Sequence, residues 1–284
     1  NQSLRFTGPQ RLVSADTMPS GDFTVSFWHK RADGPNNTQT FLMFAPNQAY
    51  QIYDAGSGPA FYSRRGGSVG EPLSGWLRDY SAWYHVLWVV KSGTTMAWIN
   101  GNKQQNTEAA PSGSSVMTIG SNGNSYQDDR LAGYLAEFNL FDGQTLSPTD
   151  FGRFNEDGVW VPIALNFTSA QYGAKGFRLT FDSSQDSNPA VGIGIDSAPI
   201  GTGHSAANNF TSVDFLTAVT SGTNRLTDID YKDTPTSNYS TFNPLWTQTN
   251  PGIKSGNMEL TTATVITGQS TFRFPAGTTG KYWV

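Results

Sequence analysis

The sequence predicts an all-β protein: a β-sandwich, then an extended connector, then part of a second β domain. Aromatic residues make up 13% of the 284 residues and charged residues only 14%. The polar positions are filled by Ser, Thr, Asn, Gln and Gly rather than by the Glu, Lys and Ala that helices favour. Short stretches of alternating apolar and polar residues recur between Gly, Pro and Asn, which is typical of strands and turns.

Strands are predicted from the first residues onward. Residues 22–31 place Phe23, Val25 and Phe27 on one face with Thr and Ser between them, and this period of two buries the aromatic face. Further short strands, each bounded by Asn, Gly or Pro, are predicted at 4–6, 40–44, 50–53, 59–63 and 115–119.

The stretch WYHVLWVVKSGTTMAWING, residues 83–101, predicts two strands and two tight turns. Residues 86–90 are apolar on both faces, as in a central strand that is covered on each side. Ser92-Gly93 and Asn100-Gly101 are predicted hairpin turns, because such pairs tolerate the positive φ that a two-residue turn requires.

A longer strand is predicted at 131–141. Strict alternation would place Leu135, Glu137 and Asn139 on one face and Phe138 on the other. This strand closes the sandwich that the sequence predicts.

The organisation of the chain is expected to change after the sandwich, which should occupy residues 1–145. Residues 146–240 are expected to form a short helix capped by Ser147, followed by a connector that wraps on its neighbours, since the stretch 182–209 has little periodicity. Strand-like alternation returns near the end of the chain. It predicts the start of a second β domain over 241–284, with strands at 257–262, 270–274 and from 282 onward.

The composition argues against several classes of function. The net charge is −4 and no basic block occurs, so we expect no nucleic-acid partner. No run approaches the ~18 apolar residues of a membrane span, so we expect no membrane insertion. The chain has no Cys, which excludes disulfides and thiolate catalysis and is typical of proteins folded in a reducing cytoplasm. The chain begins without an initiator Met or a signal peptide and its last residues stop in mid-pattern, so we expect a fragment of a longer protein.

Motifs of catalysis are missing from the sequence. Retaining glycosidases need two carboxyl groups about 5–5.5 Å apart, and none of the five Glu begins a Glu-x-Asp-x-Glu string. A Gly-x-Ser-x-Gly elbow is absent as well. The three His do not form a zinc-binding cluster: His85 is interpreted as a buried structural residue, and His204 as a more exposed loop residue without an obvious partner. We therefore expect no enzymatic activity.

Calcium is the one cofactor that the sequence leaves open, because it takes carboxylate, amide and carbonyl oxygens as ligands. The candidate ligands are Asp16, Asp128, Asp129 and Asp142. The alternative interpretation is that Asp142 belongs to an Asp-Gly turn and that Asp128 and Asp129 lie in a solvated loop.

Sugar recognition requires flat aromatic rings beside short polar side chains that bond to hydroxyl groups. Residues of both kinds occur in two loop-like stretches of the sequence. The alternative for Trp76 and Tyr80 is that they cover an edge of the sandwich. The candidate glycan-binding residues are Tyr62, Trp76, Tyr80, Asn122, Asn124, Tyr126, Asp128 and Asp129.

Several stretches carry a resemblance to a known family. FTVSFWHKR (23–31), SAWYHVLWVV (81–90) and GYLAEFNLFDGQTLSPTDFG (133–152) resemble the laminin-G-like domain of large bacteriophage virion proteins. KDTPTSNYSTFNPL (232–245) and GKYWV (280–284) resemble the connector and opening strands of the SPRY-like domain that often follows it. The resemblance covers nearly the whole chain and departs from the family pattern at 191–204.

This resemblance implies a concanavalin A/laminin-G-like jelly-roll sandwich, in which calcium often binds near a rim. It also implies a non-enzymatic virion structural protein: a tail fibre, spike or other surface appendage that recognises a host cell-surface glycan or receptor. Other virion proteins would be its partners, and it would be a homotrimer, because a fibre is built by symmetry along its axis. It would be located on the virion after assembly in the bacterial host cytoplasm. The alternatives are a capsid-decoration protein of the head surface and a polysaccharide depolymerase.

Overall fold

The computed structural model describes residues 2–7, 10–32, 38–45, 48–54, 59–65, 68–75, 77, 79–113, 115–121, 129–186, 188–215, 217–220, 223–226, 229–230, 233–238, 253–254 and 259–260. The strands in these ranges are β1 Ser3–Thr7, β2 Arg11–Thr17, β3 Phe23–Arg31, β4 Thr38–Ala45, β5 Gln48–Asp54, β6 Pro59–Arg65, β7 Ser68–Pro72, β8 Trp83–Lys91, β9 Thr94–Ile99, β10 Asn102–Ala109, β11 Val116–Ile119, β12 Ala132–Asp142, β13 Gly152–Phe154, β14 Trp160–Pro162, β15 Phe177–Leu179, β16 Phe210–Val213, β17 Thr217–Thr220, β18 Thr223–Leu226, β19 Ile229–Asp230, β20 Ile253–Lys254 and β21 Glu259–Leu260.

Helical structure in the same ranges is limited to four single turns. They are the 3₁₀ turns Pro148–Asp150 and Ser183–Gln185 and the α-helical turns α1 Ser169–Tyr172 and α2 Pro189–Gly192. The helix predicted after Ser147 is the first of these, and the backbone N–H of Ser147 donates to Oδ2 of Asp150 at 2.8 Å. None of these turns has the length and apolar character that crossing a membrane demands.

Two antiparallel sheets pack face to face and form the predicted sandwich. Sheet I has the strand order β10-β9-β8-β3-β12-β1-β19, with β15 paired to β12, and sheet II has the order β16-β2-β11-β4-β5-β6-β7. Three further strand pairs, β13-β14, β17-β18 and β20-β21, complete the described part of the chain. The all-β sandwich prediction is confirmed.

An aromatic core fills the space between the sheets. Phe27 lies at its centre, with its ring stacked on Phe138 at 4.8 Å between centroids and 5.1 Å from the rings of both Phe41 and Trp88. Phe23 and Val25 point the same way, so the predicted alternation of β3 is confirmed. Such ring contacts add stabilisation beyond that of the buried area itself.

The hairpin prediction for residues 83–101 is also confirmed. Strand β8 lies between β3 and β9, and its side chains are buried on both faces of sheet I. Ser92 and Gly93 have φ values of 50° and 76°, and Asn100 and Gly101 have 49° and 77°. Positive φ at both central positions is the geometry of a type I′ turn.

Strand β12 departs from the predicted alternation at one point. Its register against β3 shifts between Ala136 and Asn139, and Glu137 has a φ of 49°. Ala136 and Glu137 therefore both face away from the core, while Phe138 returns to it. The expectation that Phe138 lies opposite to Leu135 is wrong, because a β-bulge inserts one residue and inverts the phase of the strand beyond it.

The segment after β12 lies against the outer face of sheet I and extends both sheets. Strand β15 pairs with β12, β16 pairs with β2, and β19 pairs with β1. All nine residues of β3 are consequently buried, although Thr24, Ser26, Trp28 and Lys30 face away from the core. The outer face of sheet I is thus an interior surface, and it holds the polar groups described below.

Little of the predicted second β domain falls within the described residues. Strands β20 and β21 form an antiparallel pair, and Glu259–Leu260 lies inside the strand predicted at 257–262. The strands predicted at 270–274 and from 282 onward lie outside the described residues. The proposed division into three regions stays a prediction.

Candidate functional site

A cavity of about 340 Å³ lies on the outer face of sheet I. Its floor is formed by β3 and β12, and the segment 162–165 and strand β15 form its walls. The polar and aromatic groups that converge on it come from five parts of the chain. They are Ser26, Trp28, Glu137, Asn139, Phe151, Arg178 and Thr236.

The β-bulge in β12 directs Glu137 into this cavity. A positive φ is uncommon for a residue other than glycine and costs on the order of 1–3 kcal/mol when the surrounding structure imposes it. Ala136 packs behind it with Trp28 in the cluster of aromatic residues on this face. The strained backbone therefore holds a carboxylate at a position that regular alternation would turn into the core.

Glu137 is paired with Arg178 of β15. The Nη2 and Nε atoms of Arg178 lie 3.0 and 3.1 Å from Oε2 of Glu137, and the pairing of Asn139 with Arg178 fixes the guanidinium beside the bulge. The pair makes the cavity electrically neutral. Among the described residues, Oε1 of Glu137 accepts no hydrogen bond, so it is available to a ligand.

Asn139 is held in place by two hydrogen bonds. Its Nδ2 donates to the backbone oxygen of Glu137 at 2.8 Å, and its Oδ1 accepts from the hydroxyl of Tyr172 at 3.3 Å. Burial raises the pKa of the Tyr172 phenol, so the hydroxyl stays a neutral donor. The amide is therefore a preorganised part of the cavity floor.

His85 supports the cavity from behind. The indole Nε1 of Trp160 donates to Nδ1 of His85 at 3.1 Å, which places the ring proton on Nε2, 3.0 Å from the hydroxyl oxygen of Ser26. Both nitrogens are thus paired, as the interpretation of His85 as a structural residue expects. His204, expected to be exposed, is instead fully buried, with Nε2 3.1 Å from Oδ2 of Asp196 and Nδ1 3.0 Å from the backbone oxygen of Gly173.

Burial of His85 on the outer face of sheet I and of His29 in the core between the sheets should make the stability of the fold dependent on pH. Desolvation lowers the pKa of His85 and of His29 from 6.5 to about 3. Between pH 6.5 and about pH 3 these histidines are protonated in the unfolded chain and neutral in the folded chain. The free energy of unfolding therefore falls as the pH decreases. Each histidine adds a slope of up to about 1.4 kcal/mol per pH unit. Urea unfolding measured at several pH values in this range should show the contributions of both histidines to the slope. His85→Gln should remove the contribution of His85. An unchanged slope in the variant would contradict the assignment.

The sequence-predicted glycan residues that the structure describes do not form an open surface. Tyr62 lies in strand β6 with 8% exposure, and its ring meets that of Tyr53 edge to face at 5.6 Å. Asp129 is equally buried and pairs with Arg64 at 2.9 Å. The expectation that Tyr62 and Asp129 are loop residues open to a ligand is wrong, because both are enclosed by the fold.

Tyr80 contacts Arg31 at the end of β3, and the alternative interpretation that it covers an edge of the sandwich stays a prediction. Its hydroxyl accepts a hydrogen bond from Nη2 of Arg31 at 2.9 Å, and the guanidinium carbon lies 4.3 Å from its ring centre. The remaining predicted residues, Trp76, Asn122, Asn124, Tyr126 and Asp128, lie outside the described residues.

The candidate calcium ligands are not brought together where the structure describes them. Asp129 precedes β12 and Asp142 ends it, and this strand of eleven residues spans roughly 30 Å at ~3.3 Å per residue. Oδ2 of Asp142 instead lies 3.2 Å from the backbone N–H of Lys175, which donates to it. Asp16 lies in β2. In the described ranges no three acidic or histidine side chains form a group that could hold a metal ion.

The matches to known proteins concern the sandwich. The family model Laminin G 3, described as the concanavalin A-like lectin/glucanases superfamily, matches residues 7–150. A comparison with curated protein sequences finds no match.

Several solved structures are similar to the chain. One, titled a putative carbohydrate binding protein from Bacteroides ovatus, has 15% identity and a TM-score of 0.49, with 82% of this chain and 61% of that chain covered. Domain 4 of the extracellular arabinanase AbnA from Geobacillus stearothermophilus has 20% identity and a TM-score of 0.34, with coverages of 46% and 65%. Tailspike protein 2 of an Escherichia coli bacteriophage has 19% identity and a TM-score of 0.36, with coverages of 50% and 22%. The chain spans less than two thirds of the length of each of these proteins. Their TM-scores are below 0.5, so the similarity does not identify a ligand of this chain.

Proposed function

The chain belongs to the concanavalin A-like lectin/glucanases superfamily, and from this premise we propose that it is a non-enzymatic glycan-recognition protein of a bacteriophage virion. The sugar binds in the cavity on the outer face of sheet I. The observation that carries the proposal is the convergence of Trp28, Glu137, Asn139 and Arg178 on this one space.

The chemistry of the cavity suits a sugar ring. Oε1 of Glu137 accepts a hydrogen bond from a hydroxyl group, and the guanidinium of Arg178 donates one, while Trp28 offers an apolar wall. At about 340 Å³, the cavity lies near the lower end of ligand pockets, which run from roughly 300 to 1,000 Å³. A ligand of one or two sugar units is therefore favoured over a long chain. Because the Glu137–Arg178 pair is neutral overall, an uncharged sugar is favoured over an acidic one.

The absence of activity is part of the proposal. Among the described carboxylates, Glu137 is the one that lines the cavity, whereas both retaining and inverting glycosidases use two. Asp196 lies on the same side of the sheet, but its two oxygens accept hydrogen bonds from the backbone of Arg178, Ala198 and Asn208. Neither group is arranged as the second member of a catalytic pair.

The assignment to a virion rests on the sequence. The stretches 133–152 and 232–245 resemble bacteriophage surface proteins, and each contributes a residue to the cavity lining, Glu137 from the first and Thr236 from the second. We place the chain in a tail fibre, spike or other appendage, as a homotrimer with other virion proteins as partners. Antibody labelling of intact particles tests this part, and labelling of the head alone would contradict it.

Glycan binding can be measured directly on the purified chain. We expect a glycan array to retain a neutral sugar and calorimetry to give a reversible affinity. Glu137→Gln should weaken binding roughly tenfold to a hundredfold, because hydrogen bonds to charged groups contribute about 1.5–3 kcal/mol. The matched control is Glu156→Gln, since Glu156 is exposed in the β13-β14 turn. Equal affinities for the two variants would contradict the site, and release of new reducing ends would contradict a non-enzymatic role.

A further inference from the structure

A buried pair of lysine and carboxylate, which the amide of an exposed asparagine joins, lies beside the cavity on the outer face of sheet I. Nζ of Lys30 donates to Oδ2 of Asp233 at 2.7 Å and to Oδ1 of Asn238 at 2.8 Å. The side chain of Lys30 is completely buried and that of Asp233 is 2% exposed. Segment 233–238 thus reaches back across 208 residues of sequence to place an amide against a buried amine.

The surroundings of the lysine are aromatic. Lys30 pairs directly with Trp83 of β8 on one side and with Tyr134 of β12 on the other. Direct cross-strand neighbours have Cβ atoms about 4.5–5.5 Å apart on the same face. The amine therefore lies at the end of an apolar slot between two rings, where water is excluded and a charge is poorly solvated.

Asp233 and Asn238 are each held in a fixed orientation against the lysine. Oδ1 of Asp233 accepts from Nε1 of Trp83 at 2.9 Å, which leaves Oδ2 directed at the amine. Nδ2 of Asn238 donates to the backbone oxygen of Ser81 at 2.5 Å, which turns the amide oxygen toward Lys30. The amide carbon is one bond beyond that oxygen. This proximity reduces the entropic cost of bringing an amine and an amide together.

We propose that Lys30 and Asn238 join in an intramolecular isopeptide bond, with Asp233 as the proton carrier. In apolar surroundings the carboxylate takes one proton from the ammonium, which leaves a neutral nucleophilic amine. Nζ attacks Cγ of Asn238, and the Nζ–Cγ bond forms. The Cγ–Nδ2 bond then breaks as Asp233 transfers its proton to the departing nitrogen. The carboxylate takes up the second proton of Nζ, so Asp233 ends protonated. The products are a secondary amide and one ammonia molecule, with no oxidant or cofactor consumed.

The bond would fasten the segment 233–238 to the sandwich. A cross-link over so long a loop restricts the unfolded chain strongly, and a chain without Cys has no disulfide to do this. The cross-link would stabilise the folded chain, and its formation does not depend on glycan binding.

Mass spectrometry of the complete, denatured chain tests the proposal. The expected mass is lower than the sequence mass by one ammonia molecule, and peptide mapping should show a branched peptide that joins Lys30 to Asn238. Asn238→Ser should have its full sequence mass, and since this residue is exposed the variant should fold. Asn238→Asp should lose water instead and give the same cross-linked product.

Two outcomes would overturn the proposal. One is a wild-type chain with its full sequence mass. The other is an ammonia loss that persists in Asn238→Ser, because a succinimide at Asn100-Gly101 would also release ammonia without joining two segments. Asp233→Asn separates the proton carrier from the two reacting groups. The folded variant should keep Lys30 beside the amide of Asn238, but it should have its full sequence mass because no bond forms between them.

Discussion

Replacing Phe27 with alanine is expected to lower the free energy of unfolding by about 3–5 kcal/mol. The side chain is fully buried, and its ring contacts Phe41, Trp88 and Phe138 within 5.1 Å between centroids. Truncation removes the aromatic surface from the core and leaves a cavity that rings from both sheets cannot fill by relaxing. Urea unfolding monitored by tryptophan fluorescence measures the loss.

Phe154→Ala is the matched control for this experiment. Phe154 is 50% exposed, and its ring meets that of Trp160 edge to face at 5.0 Å between centroids. Its truncation should cost about 1 kcal/mol or less. Equal losses of unfolding free energy in Phe27→Ala and Phe154→Ala would contradict the assignment of Phe27 to the centre of the core.

Replacing Asp196 with alanine is expected to cost a similar amount, about 3–5 kcal/mol. Its buried carboxylate accepts hydrogen bonds from the backbone N–H groups of Arg178, Ala198 and Asn208, each at 2.9 Å, and lies 3.1 Å from Nε2 of His204. Alanine leaves these donors buried and unpaired, which is costlier than losing the bonds themselves. Since Arg178 is one of these partners, affinity for the glycan should fall as well.

Asp157→Ala is the matched control for Asp196→Ala. Asp157 is exposed in the turn between β13 and β14, so its loss should change stability by less than about 0.5 kcal/mol. Hydrogen exchange should show faster exchange in residues 177–208 of the Asp196 variant. A stable Asp196 variant with unchanged exchange there would show that the carboxylate does not organise this segment.

Much of the sandwich could be predicted from the sequence because its signals are local. The alternation of Phe23, Val25 and Phe27 determines the buried face of β3, and the Asn100-Gly101 pair determines a tight turn. The bulge at Glu137 could not be predicted in this way. It depends on the register of two strands that are distant in sequence, and glutamate carries no local preference for a positive φ.

The site was harder to predict than the fold for the same reason. Arg178 is 41 residues from Glu137 and reaches it because β15 pairs with β12. No local sequence pattern predicts this strand pairing. The sequence around Tyr62 predicts an open aromatic residue, because it does not reveal that the side chain is buried beside Tyr53. One signal was present for the site: Trp28 occupies the otherwise polar face of β3, where a large ring must find a partner or a ligand.

The central claim, that a glycan binds between Trp28, Glu137 and Arg178, is tested most directly by a crystal structure of the chain with the sugar that the array selects. We predict electron density for a sugar ring against Trp28, with a hydroxyl group within hydrogen-bond distance of Oε1 of Glu137 and another near the guanidinium of Arg178. Density for the sugar on sheet II or on a rim loop, with this cavity left without it, would contradict the account.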